Sequence, residues 1–412
     1  MSTIKDFNGF KATLERAKEQ LLNSPIKRVT IIHHDDADGL TSAAVLKESL
    51  ERQGWITNTI CLEKTYPEVL RRLHSTENEN YIYADLGSAH AKLISNMNDG
   101  RNLTIILDHH DTEHVEDPKV LNVNPELYQI SGEEEASGAT IAFLFAKTLS
   151  PYNKDLAHLS VIGSAEIPGP LKGLNREALT DALRSGKVEV EDNKYLVSIQ
   201  GVKQPWNTLS SKLTVLGAVG YYQGGPKLAI DYCLEKNVDI DNLVKELENK
   251  RRKANQLLLA RIEREGLKRT GSIQWLHAGD TYAGMGVKVI GTFLSYLSFQ
   301  RKLIDRSKYL VGFMNMSPEI PGLTRLNTDY VKVSARVPDA LSVLIKRGVK
   351  APLSKLLPEA AEAMGGFGDG HTMAASGIIP KGRELQFINF MERATATKQG
   401  ELRTASLMRF MT

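Results

Sequence analysis

Cysteine is nearly missing from this chain: only Cys61 and Cys233 occur, far apart and in no spacing that suits a metal. That leaves no thiolate metal motif and points to a reduced, cytoplasmic protein. No apolar run of signal-peptide type opens the sequence and no stretch approaches the length of a bilayer, so we expect neither secretion nor a membrane partner. Charge of one sign is scarce as well. With a net charge of +3, any nucleic-acid binding must come from a local basic surface rather than from bulk charge. What remains is ordinary globular composition, 42% hydrophobic and 25% charged, in 412 residues that should hold two or three domains.

The richest stretch is residues 28–46, RVTIIHHDDADGLTSAAVL. A β-branched run, Val29 to Ile32, ends in His33, His34, Asp35, Asp36, Asp38 and Gly39, and Thr41 and Ser42 then open a helix. This describes a buried strand whose carboxyl end feeds a helix, the place where open α/β sheets keep their sites. Carboxylates at i and i+2 repel unless a cation or protons neutralise them. Helix capping accounts for one acid; three acids and two histidines in six positions argue for metal. An EF-hand is excluded, because with Gly39 at the sixth loop position the twelfth falls on Val45, where a glutamate is needed.

From residue 28 to about 110, strand and helix alternate, which predicts a parallel sheet with helices on its faces. Tyr81 to Ala84 is a short strand followed by Asp85, and Leu103 to Leu107 runs straight into Asp108, His109 and His110. Three strands therefore deliver acids and imidazoles at their carboxyl ends. Before them, residues 4–22 place Phe7, Phe10, Leu14, Ala17 and Leu21 at helical spacing, an amphipathic helix that Pro25 ends.

These motifs resemble the DHH phosphoesterase superfamily. Asp36-Ala37-Asp38-Gly39, Asp85-Leu86-Gly87-Ser88 and the Asp108-His109-His110 triplet match its first three motifs. Gly370-His371-Thr372-Met373-Ala374-Ala375-Ser376-Gly377 resembles the signature of the associated C-terminal domain, with an insertion-like Phe367-Gly368-Asp369 before it. Leu171 to Glu177 and Val333 to Arg336 bring the chain nearest to archaeal RecJ-like proteins. The resemblance implies a metal-dependent phosphodiesterase, an exonuclease on single-stranded DNA or RNA in replication or repair. It also implies kinship with a replication-fork protein that works with GINS and the replicative helicase.

In that light Asp36, Asp38, Asp85, Asp108 and His109 would hold two manganese or magnesium ions, with Asp85 as the bridge. His34 would be a further ligand or support one. His110 would orient the transition state or protonate the leaving oxygen. The family's fourth motif carries an Asp; here Leu159 to Pro168 holds only Glu166, which could reach a metal with a longer arm. Rival functions are a fork scaffold that keeps the fold but not the chemistry, and a phosphoesterase for short oligonucleotides.

The expected architecture is α/β. Residues 1–235 would form a doubly wound, mostly parallel domain, with residues 168–235 a candidate partner-binding insert. Residues 236–268 would form a connecting helix, whose Arg251, Arg252 and Lys253 either line a phosphate groove or simply face solvent. Residues 269–412 would form a smaller α/β substrate-binding domain. Its predicted strands are Ser272 to Leu276, Met285 to Ile290, Tyr309 to Met314 and Tyr330 to Arg336. The glycine-rich run Gly365 to Gly370, including Gly366 and Gly370, would expose backbone amides to phosphate beside His371, and Arg336 would add a bidentate contact.

Overall fold

The computed structural model describes residues 5–192 and 194–395. The outer ends of both expected domains, 1–4 and 396–412, lie outside the described residues, as does the first residue of the 4–22 helix expectation. Two compact units emerge among the described residues, one reaching Leu247 and taking in Ile320–Thr324, the other made of Glu248–Glu319 and residues 325–395.

In the first unit, α1 (Phe7–Asn23) buries Phe10, Leu14, Ala17 and Leu21 of the expected stripe, while Phe7, in its first turn, stays exposed. Five strands follow: β1 (Arg28–His33), β2 (Ile56–Cys61), β3 (Asn80–Ala84), β4 (Thr104–Leu107) and β5 (Val120–Val123). All pair in parallel in the order β2-β1-β3-β4-β5. Strand order reverses between β1 and β3, so their carboxyl ends flank the crevice where doubly wound sheets bind ligands. The sheet is buried because β-branched and aromatic side chains fill both faces, with Val29, Ile31, Ile32, Ile82, Tyr83, Ile105 and Ile106 fully covered.

Helices α2 (Ala37–Glu51), α3 (Pro67–His74) and α4 (Ala91–Asn98) make the crossovers. α2 is buried almost throughout, against α5 (Gly138–Leu149) and α6 (Ala157–Gly163). β5 was not anticipated. The candidate insert comprises α7 (Gly173–Arg184), an antiparallel sheet of β6 (Val188–Glu191), β7 (Lys194–Ile199) and β8 (Val202–Pro205), then α8 (Trp206–Thr214), a π-helical turn at Val215–Val219 and α9 (Gly225–Cys233). The long helix α10 (Asp241–Glu265) leads from one unit into the other.

The second unit holds a mixed six-stranded sheet. Its strands are β9 (Lys268–Arg269), β10 (Ile273–His277), β11 (Tyr309–Asn315), β14 (Tyr330–Arg336), β15 (Phe367–Gly370) and β16 (Ala374–Pro380), in the order β15-β16-β14-β11-β10-β9. A small ribbon, β12 (Glu319–Ile320) with β13 (Thr324–Arg325), intervenes in sequence. One face of the large sheet carries the core, where Val311, Phe313, Val331 and Val333 meet α12 (Asp339–Lys346), α13 (Leu353–Ala363) and Phe387.

Two expectations fail here. Met285 to Ile290 is not a strand: Lys288–Leu297 is a helix, α11, because Val289 and Ile290 continue into Phe293, Leu294 and Leu297 at helical spacing and all are buried together. Nor is Gly365 to Gly370 an open run, since four of its residues form edge strand β15. A side chain on Gly366 would meet the Ile378 carbonyl at 2.0 Å, so this glycine permits close strand approach. No helix among the described residues is long and apolar enough to cross a membrane.

Candidate metal centre

The β1–α2 junction answers the choice between capping and ligation with both. Asp36 caps α2 by accepting from the Gly39 amide at 3.1 Å through Oδ1, while its Oδ2 lies 2.8 Å from His34 Nδ1. Asp38 caps a different helix: its two oxygens accept from the Gly138 and Ala139 amides, 2.9 and 2.7 Å, at the start of α5. Gly39 is required by proximity, because a Cβ there would lie 2.6 Å from the His34 carbonyl oxygen.

Asp85 follows β3 with φ of 63°, a left-handed backbone that a side chain rarely adopts. Both its oxygens are buried without a hydrogen-bond donor among the described residues. His109 Nε2 stands 3.3 Å from Asp85 Oδ1 and 3.5 Å from Asp38 Oδ2, and His34 Nδ1 stands 3.9 Å from Asp85 Oδ2. Potential ligand atoms gather in two groups, Asp85 with His109 and His110, and Asp85 with His34 and Asp36, each within 4.8 Å. Asp85 is common to both.

Burial pushes the Asp85 carboxyl well above the usual range, and the charges of Asp38, Asp36 and Asp108 add to it. An acid so placed takes up either a proton or a cation. Burial alone would raise Asp108 too, but the adjoining His110 and His109 imidazoles and the Ser88 amide hold it below the carboxylate range. Asp108 Oδ1 accepts from the His109 and His110 amides and lies 2.7 Å from His110 Nδ1, while Oδ2 accepts from Ser88. The His109 ring is lowered by burial and by His110. Its Nδ1 lies 2.7 Å from the Gly132 carbonyl, which can only accept, so Nε2 keeps its lone pair for the cluster. Mixed carboxylate and imidazole donors around unmatched buried acid have the chemistry of a divalent-metal centre.

Asp38 and Asp108 border this cluster but belong to neither group. Glu166 is outside both as well: exposed on a turn after α6, it accepts at 3.4 Å from Thr214 Oγ1, which itself receives the Ala37 amide. In the second unit, half-buried Arg336 donates to Ser295 and to the Ala335 carbonyl and has no carboxylate partner among the described residues. The sheet register sets Arg336 opposite Ala374 and Gly370 opposite Ala375, so Arg336 and the turn bearing His371 share one end of the sheet. Sequence reasoning missed the Gly132 carbonyl; a backbone oxygen in a distant loop leaves no residue-type signal.

Residues 28–164 match the model of the DHH family, N-terminal domain. An uncharacterized protein of Methanocaldococcus jannaschii is 24% identical over 90% of this chain and 94% of its own length. The single-stranded-DNA-specific exonuclease RecJ of Thermus thermophilus is 30% identical over 44% of this chain but only 28% of its own. The solved structure of RecJ from that organism with Mn2+ superposes with a TM-score of 0.63 at 18% identity, over 93% of this chain and 55% of the other. CDC45 of Entamoeba histolytica shares the fold with a TM-score of 0.50 at 10% identity, over 95% of this chain and 98% of its own. The chain thus spans about half of the solved RecJ and nearly all of CDC45.

Proposed function

The chain is a RecJ-like member of the DHH phosphoesterase superfamily, and on that footing we propose that it is a manganese- or magnesium-dependent exonuclease for single-stranded DNA or RNA. The observation that carries this is Asp85, a buried acid with two unpartnered oxygens, common to two ligand groups at the switch point of a parallel sheet. Two divalent ions held by Asp36, Asp38, Asp85, Asp108, His109 and His34 would activate water and stabilise the leaving oxygen.

The protein's own groups prepare the rest. Gly132 fixes the His109 tautomer, and the α5 amides fix Asp38. His110, tethered to Asp108 and with its side chain 38% exposed, is placed to pass a proton to the leaving oxygen. Arg336, Gly370 and His371 would receive a substrate phosphate, the guanidinium in bidentate fashion, whereas the Gly366 amide already donates to the Ala361 carbonyl. Glu166 acts through Thr214 and the α2 entry rather than as a ligand in this reading.

A second reading is favoured by the position of Glu166 outside both ligand groups: a fork scaffold of the archaeal kind that binds GINS and the helicase and keeps little activity. Incubating end-labelled single strands of DNA and RNA of increasing length with Mn2+ separates these. We expect stepwise shortening by the wild type, its rate rising with strand length, and none by an Asp108→Ala, His109→Ala double variant. A folded wild type that binds strands without shortening them leaves the scaffold; activity only on the shortest strands leaves an oligonucleotide phosphoesterase.

A further inference from the structure

We infer that Tyr296 and Phe299 form a stacking platform for the unpaired bases of a single strand whose phosphate lies at Arg336. The inference rests on the single-strand reading above. Four aromatic side chains are exposed among the described residues, Phe7, Tyr152, Tyr296 and Phe299, and two of them stand three positions apart at the end of α11, 51% and 77% exposed. The helix has no need of them for its core, because Val289, Ile290, Phe293, Leu294 and Leu297 already fill its buried face. Thr292, Tyr296 and Phe299 instead make one exposed row at i, i+4 and i+7. The turn continues past Leu297, with the Phe299 amide donating to the Tyr296 carbonyl at 3.2 Å. Side chains three apart on such a turn stand roughly 5–6 Å from each other. That is wider than the about 3.4 Å between successive units of one duplex strand, so the pair suits an extended single strand.

The guanidinium lies along the next row of the same helix. Arg336 Nε donates to Ser295 Oγ at 2.8 Å, and a Cβ on Gly291 would come within 3.0 Å of Nη2. Gly291 and Ser295 each precede a member of the exposed row by one position, so a phosphate at Arg336 leaves its base beside the rings. A second cation borders the corner. Arg301, with its side chain 72% exposed, has Nη2 3.9 Å from Asp339 Oδ2, but both oxygens of Asp339 already accept from Arg306, at 2.6 and 2.5 Å. Asp339 opens α12 three residues after Arg336, and the Leu341 amide donates to the Arg306 carbonyl, which fixes this turn against α12. Around the rings the exposed positions are Thr292, Arg301 and Lys302. A protein partner would want a wider apolar patch; rings set singly among cations are what a strand needs, one face for each base and positive charge for the backbone.

The test uses the full chain in metal-free buffer, where strands can bind without being cut. Affinity is measured by fluorescence anisotropy for an oligothymidine strand and for a strand of equal length made of abasic sites, which keeps the phosphates and removes the bases. The Tyr296→Ala, Phe299→Ala double variant should bind the thymidine strand roughly 10-fold more weakly than wild type and the abasic strand equally well. Phe299→Trp should hold the thymidine strand at least as tightly as wild type. Arg336→Ala should weaken both strands alike. Melting temperatures of the ring variants should match wild type, because both side chains are exposed. Unchanged thymidine binding by the double variant would overturn the platform and leave the rings to a protein partner. An equal loss on both strands would also overturn it, since the rings would then act through the phosphate contacts. A wild type that binds neither strand sinks this inference and the single-strand reading together. One that prefers the base-bearing strand, loses that preference with the rings and yet shortens no strand in Mn2+ sinks only the nuclease and upholds the platform.

Discussion

The two units carry opposite deficits. At the carboxyl ends of β1 and β3, acids are buried without enough positive charge: among the described residues Asp85 has no hydrogen-bond donor and Asp35 has one unpartnered oxygen. In the second unit the shortfall is of negative charge, because among the described residues the Arg336 guanidinium is held by a hydroxyl and a carbonyl, and burial pulls it down to about 10. One region is short of cations and the other of an anion. A metal-dependent enzyme acting on phosphodiesters supplies both, through its ions and through its substrate.

The largest effect should come from the acid side. Asp85→Asn should lower hydrolysis by at least about 100-fold and weaken Mn2+ binding while leaving strand binding through Arg336 in place, as filter binding would record. Next is the cationic side. Arg336→Ala should raise KM for labelled strands by roughly 10- to 100-fold, the worth of a charged hydrogen bond, with Mn2+ affinity unchanged. If either variant disturbs both properties equally, the division between the units is wrong.

Stability in mild acid should follow buried histidines. Burial, the larger cause in each, lowers His74 and His158 to about 4. Between pH 6.5 and 4 the unfolded chain therefore binds more protons, so stability is present above about 6.5 and falls as pH drops toward 4. Each could account for at most on the order of 3 kcal/mol. Melting curves across this window should fall with acid, and His158→Gln should flatten the fall. Smallest is a pair of glycines. Gly39→Ala meets fixed backbone and should cost about 1–3 kcal/mol. Gly368→Ala first meets the movable end of Leu357 at 2.7 Å and should cost less; urea melts would rank them.

How much of this was legible follows from what each element depends on. β1, β3 and β4 could be read because β-branched runs end in acids and imidazoles, and α10 because its pattern persists for 25 residues. β5 is only Val-Leu-Asn-Val and gave no such signal. Met285 to Ile290 is short enough to suit strand or helix, and burial beside Phe293 decided it. The glycines near Gly366 were read as freedom, yet their use is close packing, which depends on Ile378 and Leu357 from other elements. At the centre, Asp36, Asp85 and His109 were readable from their strand ends, whereas the Gly132 contact depends on loop geometry.

The most direct measurement titrates Mn2+ into wild type and Asp85→Asn and follows shortening of an end-labelled single strand in the same samples. Shortening by wild type should rise and saturate with Mn2+, and the variant should show none. Saturated wild type that leaves the strand intact, or an Asp85→Asn protein that shortens it equally well, would contradict it.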